Sequence, residues 1–290
     1  MIGNLIRAIV PARFRPVRHL ENLTRAGTQE RVRQGPFAGL RYINRAVGSA
    51  FIPKLLGIYE RELNGCIEQA CAAQFPLIVD VGAAEGYYAI GLARLNPKAR
   101  VIAFEMEETG RAALREMAKL NGIEVQNAET LKPETLKPEE RSNAAPISAF
   151  QPFSLSAFSQ LELHGKCEFE NLQATLAAVD RAFVVCDVEG YEGVLLMPDK
   201  IPALARATLL VEMHDFCCPG VTERVTARFA PTHHVERIWQ EPRARADFPF
   251  TSWGTKLFPK RYLDWAVSEW RPERMSWLWL TPKKAEKLKS

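Results

Sequence analysis

Three carboxylates fall within six positions in AFVVCDVEGYEGVLL, residues 182–196: Asp187, Glu189 and Glu192. They follow an apolar run, Phe183 to Cys186, that reads as the core of a strand. Like charges crowded against a core repel one another and lose solvation, so a purely structural segment would avoid them. Carboxylates in such a place take a proton from a hydroxyl, hold a cation or ligate a divalent metal. LLVEMHD, residues 209–215, adds His214, whose ordinary pKa of about 6.5 suits a general base. An acid at the start of a helix also stabilises its dipole, by about 0.3–1 kcal/mol. That simpler reading fits Glu192, but Asp187 precedes the turn and escapes it. The catalytic candidates are Asp187, Glu189 and His214.

The elements that must position these acids repeat along the chain. LIVDVG (77–82), ARVIAFEME (99–107), AFVVCDV (182–188) and ATLLVEMHD (207–215) are apolar runs that close on an acid, as buried parallel strands do when they enter a turn. Shorter strand patterns occur at 160–165, 234–240 and 276–282. Helical patterns separate them at 86–95, 107–120, 170–179, from 191, and at 222–230, with another at 260–270. Such alternation predicts an α/β, Rossmann-like fold: a mostly parallel sheet of seven strands with helices on both faces. Sheets of this kind bind ligands at the carboxyl ends of their strands. Asp80, Glu105 and Asp187 would then line the mouth of the sheet.

DVGAAEGYY (80–88) is the first strand-to-helix loop. A dinucleotide fingerprint from Gly82 would need glycine where Ala84 and Tyr87 stand, so that motif fails. No Walker-type GK[ST] follows, which removes an ATP cradle. Gly82 and Gly86 let the loop pass close to a ligand, or simply make a tight turn. Asp80 is placed to hold a cationic amino group. Glu105, 19 residues after Gly86, is placed to accept both hydroxyls of a ribose. A ribose and an amino-acid head without phosphate describe S-adenosyl-L-methionine.

IVDVGAAEGYYAIGLA, AFEME and VVCDVEGYEGVLL together resemble the FkbM-type family of class I S-adenosylmethionine-dependent methyltransferases, and LLVEMHD is similar to that family's fifth-strand E-x-H. The resemblance spans roughly residues 75–215. It implies a methyltransferase that O-methylates a sugar or another hydroxylated small molecule. It implies that Asp80, Gly82, Ala83, Glu85, Gly86, Tyr87 and Glu105 bind the cofactor, with Gly165, Lys166 and Cys167 nearest by position to its adenine. A divalent metal is a lesser alternative. A methyltransferase for RNA or protein, or a non-catalytic binding protein with a degenerate methyltransferase fold, stays open. Trp253, Trp265, Trp270, Trp277 and Trp279 motivate the RNA reading.

The 290 residues carry a net charge of only +4, so no overall field demands nucleic acid. Residues 1–60 nevertheless hold ten basic and three acidic side chains, a local excess of +7. We read residues 1–65 as a basic extension of short helices with a strand-like stretch at 35–43, and 53–73 as one continuous helix. The methyltransferase domain is expected at 66–285, with a proline-bearing insertion at 124–158. Substrate choice should lie in 124–158 and 242–272, where Arg243, Arg245 and Lys256 offer charge to an anionic acceptor or are plain surface. Six cysteines without a CxxC pair suggest a reducing compartment, hence a cytoplasmic protein. Residues 1–10 are too short and too interrupted for a membrane span and leave only a weak peripheral contact open. The extension and the Trp-rich stretch leave the oligomeric state unspecified.

Overall fold

A computed structural model describes residues 15–127 and 160–283. Four segments alternate as expected, β1 (Leu77–Val81), α4 (Tyr87–Leu95), β2 (Arg100–Phe104) and α5 (Glu108–Leu120), and β3 (Glu124–Asn127) follows them. After the undescribed stretch come β4 (Gln160–His164), α6 (Phe169–Ala177), β5 (Ala182–Cys186), α7 (Glu192–Leu195), β6 (Thr208–Met213), α8 (Val221–Phe229) and β7 (His233–Trp239). The chain then forms α9 (Trp253–Leu257), α10 (Arg261–Val267) and β8 (Ser276–Pro282). Ahead of β1 lie α1 (Pro16–Thr28), α2 (Phe51–Leu56) and α3 (Asn64–Ala73).

The strands make one sheet in the order β3-β4-β2-β1-β5-β6-β8-β7. Pairing is parallel from β3 to β6, and β8 runs antiparallel between β6 and β7. This is the doubly wound, Rossmann-like architecture, with eight strands rather than seven. The additional one is β3, whose sequence EVQN holds a single aliphatic residue, so periodicity gave no sign of it. It occupies a sheet edge, and the expected insertion therefore begins inside a strand; residues 128–158 of that expectation lie outside the described residues.

Successive side chains of the central strands enter different cores. Leu77, Val79 and Val81 join one core with Leu172, Leu195 and Val225, while Ile78 joins the other with Ala89, Leu114 and Ile67. Each buried Leu, Ile or Val contributes about 1.5–3 kcal/mol by leaving water. The second core also contains Leu20, Tyr42 and Leu55, so residues 15–65 pack directly on the sheet's helical layer.

Two local expectations fail here. The helix expected over 53–73 is interrupted: Gly57 adopts φ +70°, and a Cβ there would overlap the Gln34 carbonyl. A one-turn 3-10 helix, Arg61–Leu63, precedes α3. Leu55, Leu56, Leu63 and Ile67 are all buried on either side of the break, which is why their spacing mimicked a single helix. Residues 35–43 form no strand, only an isolated antiparallel bridge between Arg31 and Arg41.

Candidate active site

The chain leaves β1 for β2 on one side and returns to β5 on the other, so the strand order reverses at β1. Open α/β sheets bind ligands at that switch point. The register sets the acids there. Val81 pairs with Phe104 and with Cys186, so Glu105 and Asp187 each stand one residue beyond the paired ends, level with Gly82. A cavity of about 580 Å³ opens above them and is lined by Asp80, Gly82, Ala83, Tyr87, Glu105 and Asp187, with Glu189, Lys166, Cys167 and Arg271 among its other walls. Gly165 is not among them.

The β1–α4 loop fits this space closely. Gly82 has φ +85°, and a Cβ would overlap the Asp187 carbonyl, so only glycine lets β1 and β5 stay in register here. Glu105 is fixed rather than free: its two oxygens accept the amides of Ala84 and Glu107, each at 2.7 Å. A carboxylate oxygen has two lone pairs, so each retains one for a ligand hydroxyl. Asp80 is 3% exposed, and its Oδ2 is buried without a hydrogen-bond partner. Burial pushes its carboxyl up to about 7 against the pull of the Ala89 amide. Asp80 thus brings a buried acceptor without a partner to the wall of the cavity.

Glu85 and Gly86 do not line the cavity. Glu85 is fully buried, takes the Lys54 ammonium at 2.5 Å and the Val47 amide at 3.1 Å, and accepts the Tyr42 hydroxyl. Burial works against its charge, but Lys54 and Tyr42 hold its carboxyl below the usual range. Its place is to clamp residues 42–54 onto the loop. Gly86, at φ +86°, caps α4 and lies against Ile90 and Leu114.

The second acidic loop is built around Glu192. Its Oε1 accepts the amides of Val188 at 3.4 Å and Gly190 at 3.1 Å and meets His214 Nδ1 at 2.7 Å. Glu189 at φ +51° and Gly190 at φ +102° make the turn between them. His214 is 1% exposed and lies behind the loop, outside the cavity lining. Its Nε2 is 3.4 Å from Glu189 and 3.6 Å from Asp187. Burial opposes its charge, but the hydrogen bonds to Glu189 and Glu192 and the field of Glu212 outweigh that and carry it to about 11. Both ring nitrogens of His214 are thus turned toward carboxylates, Nδ1 to Glu192 and Nε2 to Glu189 and Asp187. Glu189, hydrogen-bonded to His214, is held below the usual carboxylate range. Asp187 lines the cavity, and burial pushes it up to about 6 despite the opposing field of His214.

Sequence reasoning missed Arg271, Lys54, Tyr59 and Glu60. The Arg271 guanidinium meets Glu212 at 2.6 Å, pairs with Glu60, and donates to the Tyr59 hydroxyl at 3.1 Å. Glu60 also accepts the Tyr88 hydroxyl. Arg271 comes from an irregular stretch with no periodic signal, and Glu60 lay inside the stretch whose spacing read as one helix. Glu212 did carry one: a charged residue inside the apolar run LLVEM. Donor atoms of Asp187, Glu212 and His214 lie within 4.8 Å of one another. The Arg271 guanidinium stands against Glu212 in the same cluster.

Arg243 pairs with Glu62 at 2.7 Å and Glu269 at 2.5 Å while nearly buried; Arg245 pairs with Asp264 at the surface, and Lys256 is exposed. His233 is a packing residue, with Nε2 2.9 Å from the Ala207 carbonyl. Trp277 and Trp279 are core side chains and offer no stacking face. No described helix is long and apolar enough to cross a membrane.

No protein-family model matches the sequence, and no curated protein is significantly similar to it. Among solved structures, the O-methyltransferase from Bacillus cereus in complex with SAH is similar at 10% identity over 97% of each chain, with a TM-score of 0.42. The O-methyltransferase TomG from Streptomyces achromogenes, involved in tomaymycin synthesis and solved with SAM, is similar at 13% identity over 97% of this chain and 96% of that one, with a TM-score of 0.41. At such identities and scores the functional reading rests on the residues of this chain.

Proposed function

We propose that this chain is an S-adenosylmethionine-dependent O-methyltransferase of the FkbM type, acting on a sugar or another hydroxylated small molecule. The observation that carries the reading is convergence: Asp80, Glu105 and Asp187 meet at one cavity at the point where the strand order reverses. The methyltransferase domain is assigned to residues 66–285, with the described part of 1–65 packed on it.

When bound, S-adenosylmethionine supplies an electrophilic methyl group. Asp80 would hold the amino group through Oδ2, and Glu105 would hold the ribose hydroxyls through its free lone pairs. Ala83 and Tyr87 would give the nucleoside apolar wall, and Lys166 with Cys167 the adenine side. Asp187 is the candidate base: a carboxyl raised toward neutrality takes a proton from an alcohol more readily than an ordinary one. The acceptor O–H proton would pass to an Asp187 oxygen. His214 and Glu192 stay in place as positioning residues, since they keep the loop and the charge of Asp187 in register. Glu189, at the cavity rim, would orient the acceptor.

Isothermal titration with S-adenosylmethionine tests the assignment. Binding by the wild-type protein, sharply weakened in Glu105→Ala, is the expected result; no binding by the wild-type protein ends it. Methyl transfer by Asp187→Asn at the wild-type rate would remove the base while leaving the cofactor site standing.

A further inference from the structure

Trp253 and Leu257 lie one turn apart on α9 and are 57% and 75% exposed, an arrangement that folding alone does not favour. Cations surround them. Lys256, Lys260 and Arg261 are all exposed, and no acidic residue occurs from Phe248 to Leu263. The mount is rigid. His19 of α1 packs its ring 5.2 Å from Trp253 and edge-on to Phe258, and its Nε2 meets the Ser252 hydroxyl at 2.9 Å. Ser252 in turn caps α9 by accepting the Thr255 amide at 3.2 Å. Gly254 lets this happen, because a Cβ there would press into the His19 ring. The two apolar side chains are thus held outward by a fixed scaffold.

We propose that this tip docks on the surface of an anionic phospholipid bilayer. Trp253 and Leu257 would enter the boundary between headgroups and acyl chains, while Lys256, Lys260 and Arg261 pair with lipid phosphates. Charge favours this occupant, since Lys256, Lys260 and Arg261 complement a negative leaflet while the nearby Asp264 is paired with Arg245. Area favours it too. Two side chains offer at most a few hundred Å² of apolar surface, well short of the roughly 800 Å² per partner of a stable protein–protein contact. Insertion at an interface needs no such area, because lipid closes around whatever is presented. The docking is independent of methyl transfer.

The test is co-sedimentation of the full chain with phosphatidylcholine vesicles and with vesicles that also contain phosphatidylglycerol. Binding is expected to the anionic vesicles, weakly or not at all to the neutral ones, and is released by salt. The double variant Trp253→Ser/Leu257→Ser should lose about tenfold or more in vesicle affinity. Trp253 also packs on His19 and Phe258, so this variant should melt somewhat lower; Lys256→Glu/Lys260→Glu repeats the test without touching the apolar pair or its packing. No binding to anionic vesicles overturns the proposal. So does full binding by both double variants. A concentration-dependent dimer abolished by Trp253→Ser/Leu257→Ser would assign the patch to a second copy and overturn it equally.

Discussion

At the scale of single residues, Asp80 makes the sharpest statement. Its carboxyl titrates near 7 in the folded protein against an ordinary value of about 3.9. Between those values the folded state holds a proton that the unfolded chain has released, so stability declines as pH rises through that window. Asp80→Asn should therefore raise the melting temperature of the ligand-free protein at about pH 8. An ammonium ligand selects the ionised carboxylate, so S-adenosylmethionine affinity should climb as pH rises through about 7. Titration calorimetry in buffers of different ionisation heat would record the released proton; Asp80→Asn should bind weakly, with a flat profile. Glu192 gives a second residue-scale test. Glu192→Ala strips His214 of its buried partner and should cost about 3–5 kcal/mol in urea unfolding. Glu192→Gln keeps an acceptor for the Gly190 amide and should cost less. Asp80, Glu105 and Asp187 were legible in the sequence because each closes an apolar run. The charge state of His214 was not, because it depends on Glu189, Glu192 and Glu212 converging on it in three dimensions.

At the scale of elements, the strands announced themselves and the joints did not. β1, β5 and β6 are buried along their whole length, so their apolar runs are continuous. The break between α2 and α3 was hidden because apolar spacing persists through it. Only the conformation of Gly57 and its contact with the Gln34 backbone betray the turn. Gly57→Ala must place a side chain at positive φ against that backbone and should cost about 1–3 kcal/mol, readable as a fall in melting temperature. Gly82→Ala carries the same penalty where β1 meets β5, and should weaken S-adenosylmethionine binding as well as the fold. β7 and β8 were visible as strands, but their hairpin-like insertion beside β6 follows from tertiary pairing that no single segment encodes.

For the whole molecule, residues 15–65 are joined to the site: Lys54 reaches Glu85, and Tyr42 and Tyr59 stand with Tyr87 in one aromatic group. The cavity wall therefore depends on a segment remote in sequence from the methyltransferase-like motifs. Lys54→Met should destabilise the protein by about 3–5 kcal/mol, because it leaves Glu85 buried and uncompensated. Lys54→Met/Glu85→Gln should recover much of that loss, and a double-mutant cycle by chemical denaturation measures the coupling.

Arg271 brings a consequence in time rather than space. Domains form in large part as the polypeptide emerges from the ribosome, earlier segments first. Glu60 and Glu212 are synthesised well before the guanidinium that joins them. A nascent chain halted short of Arg271 would thus carry crowded carboxylates with one counter-charge missing. The pocket acquires its final electrostatics only as β8 slots between β6 and β7, so ligand capture by stalled nascent chains should begin only once that strand has cleared the exit tunnel.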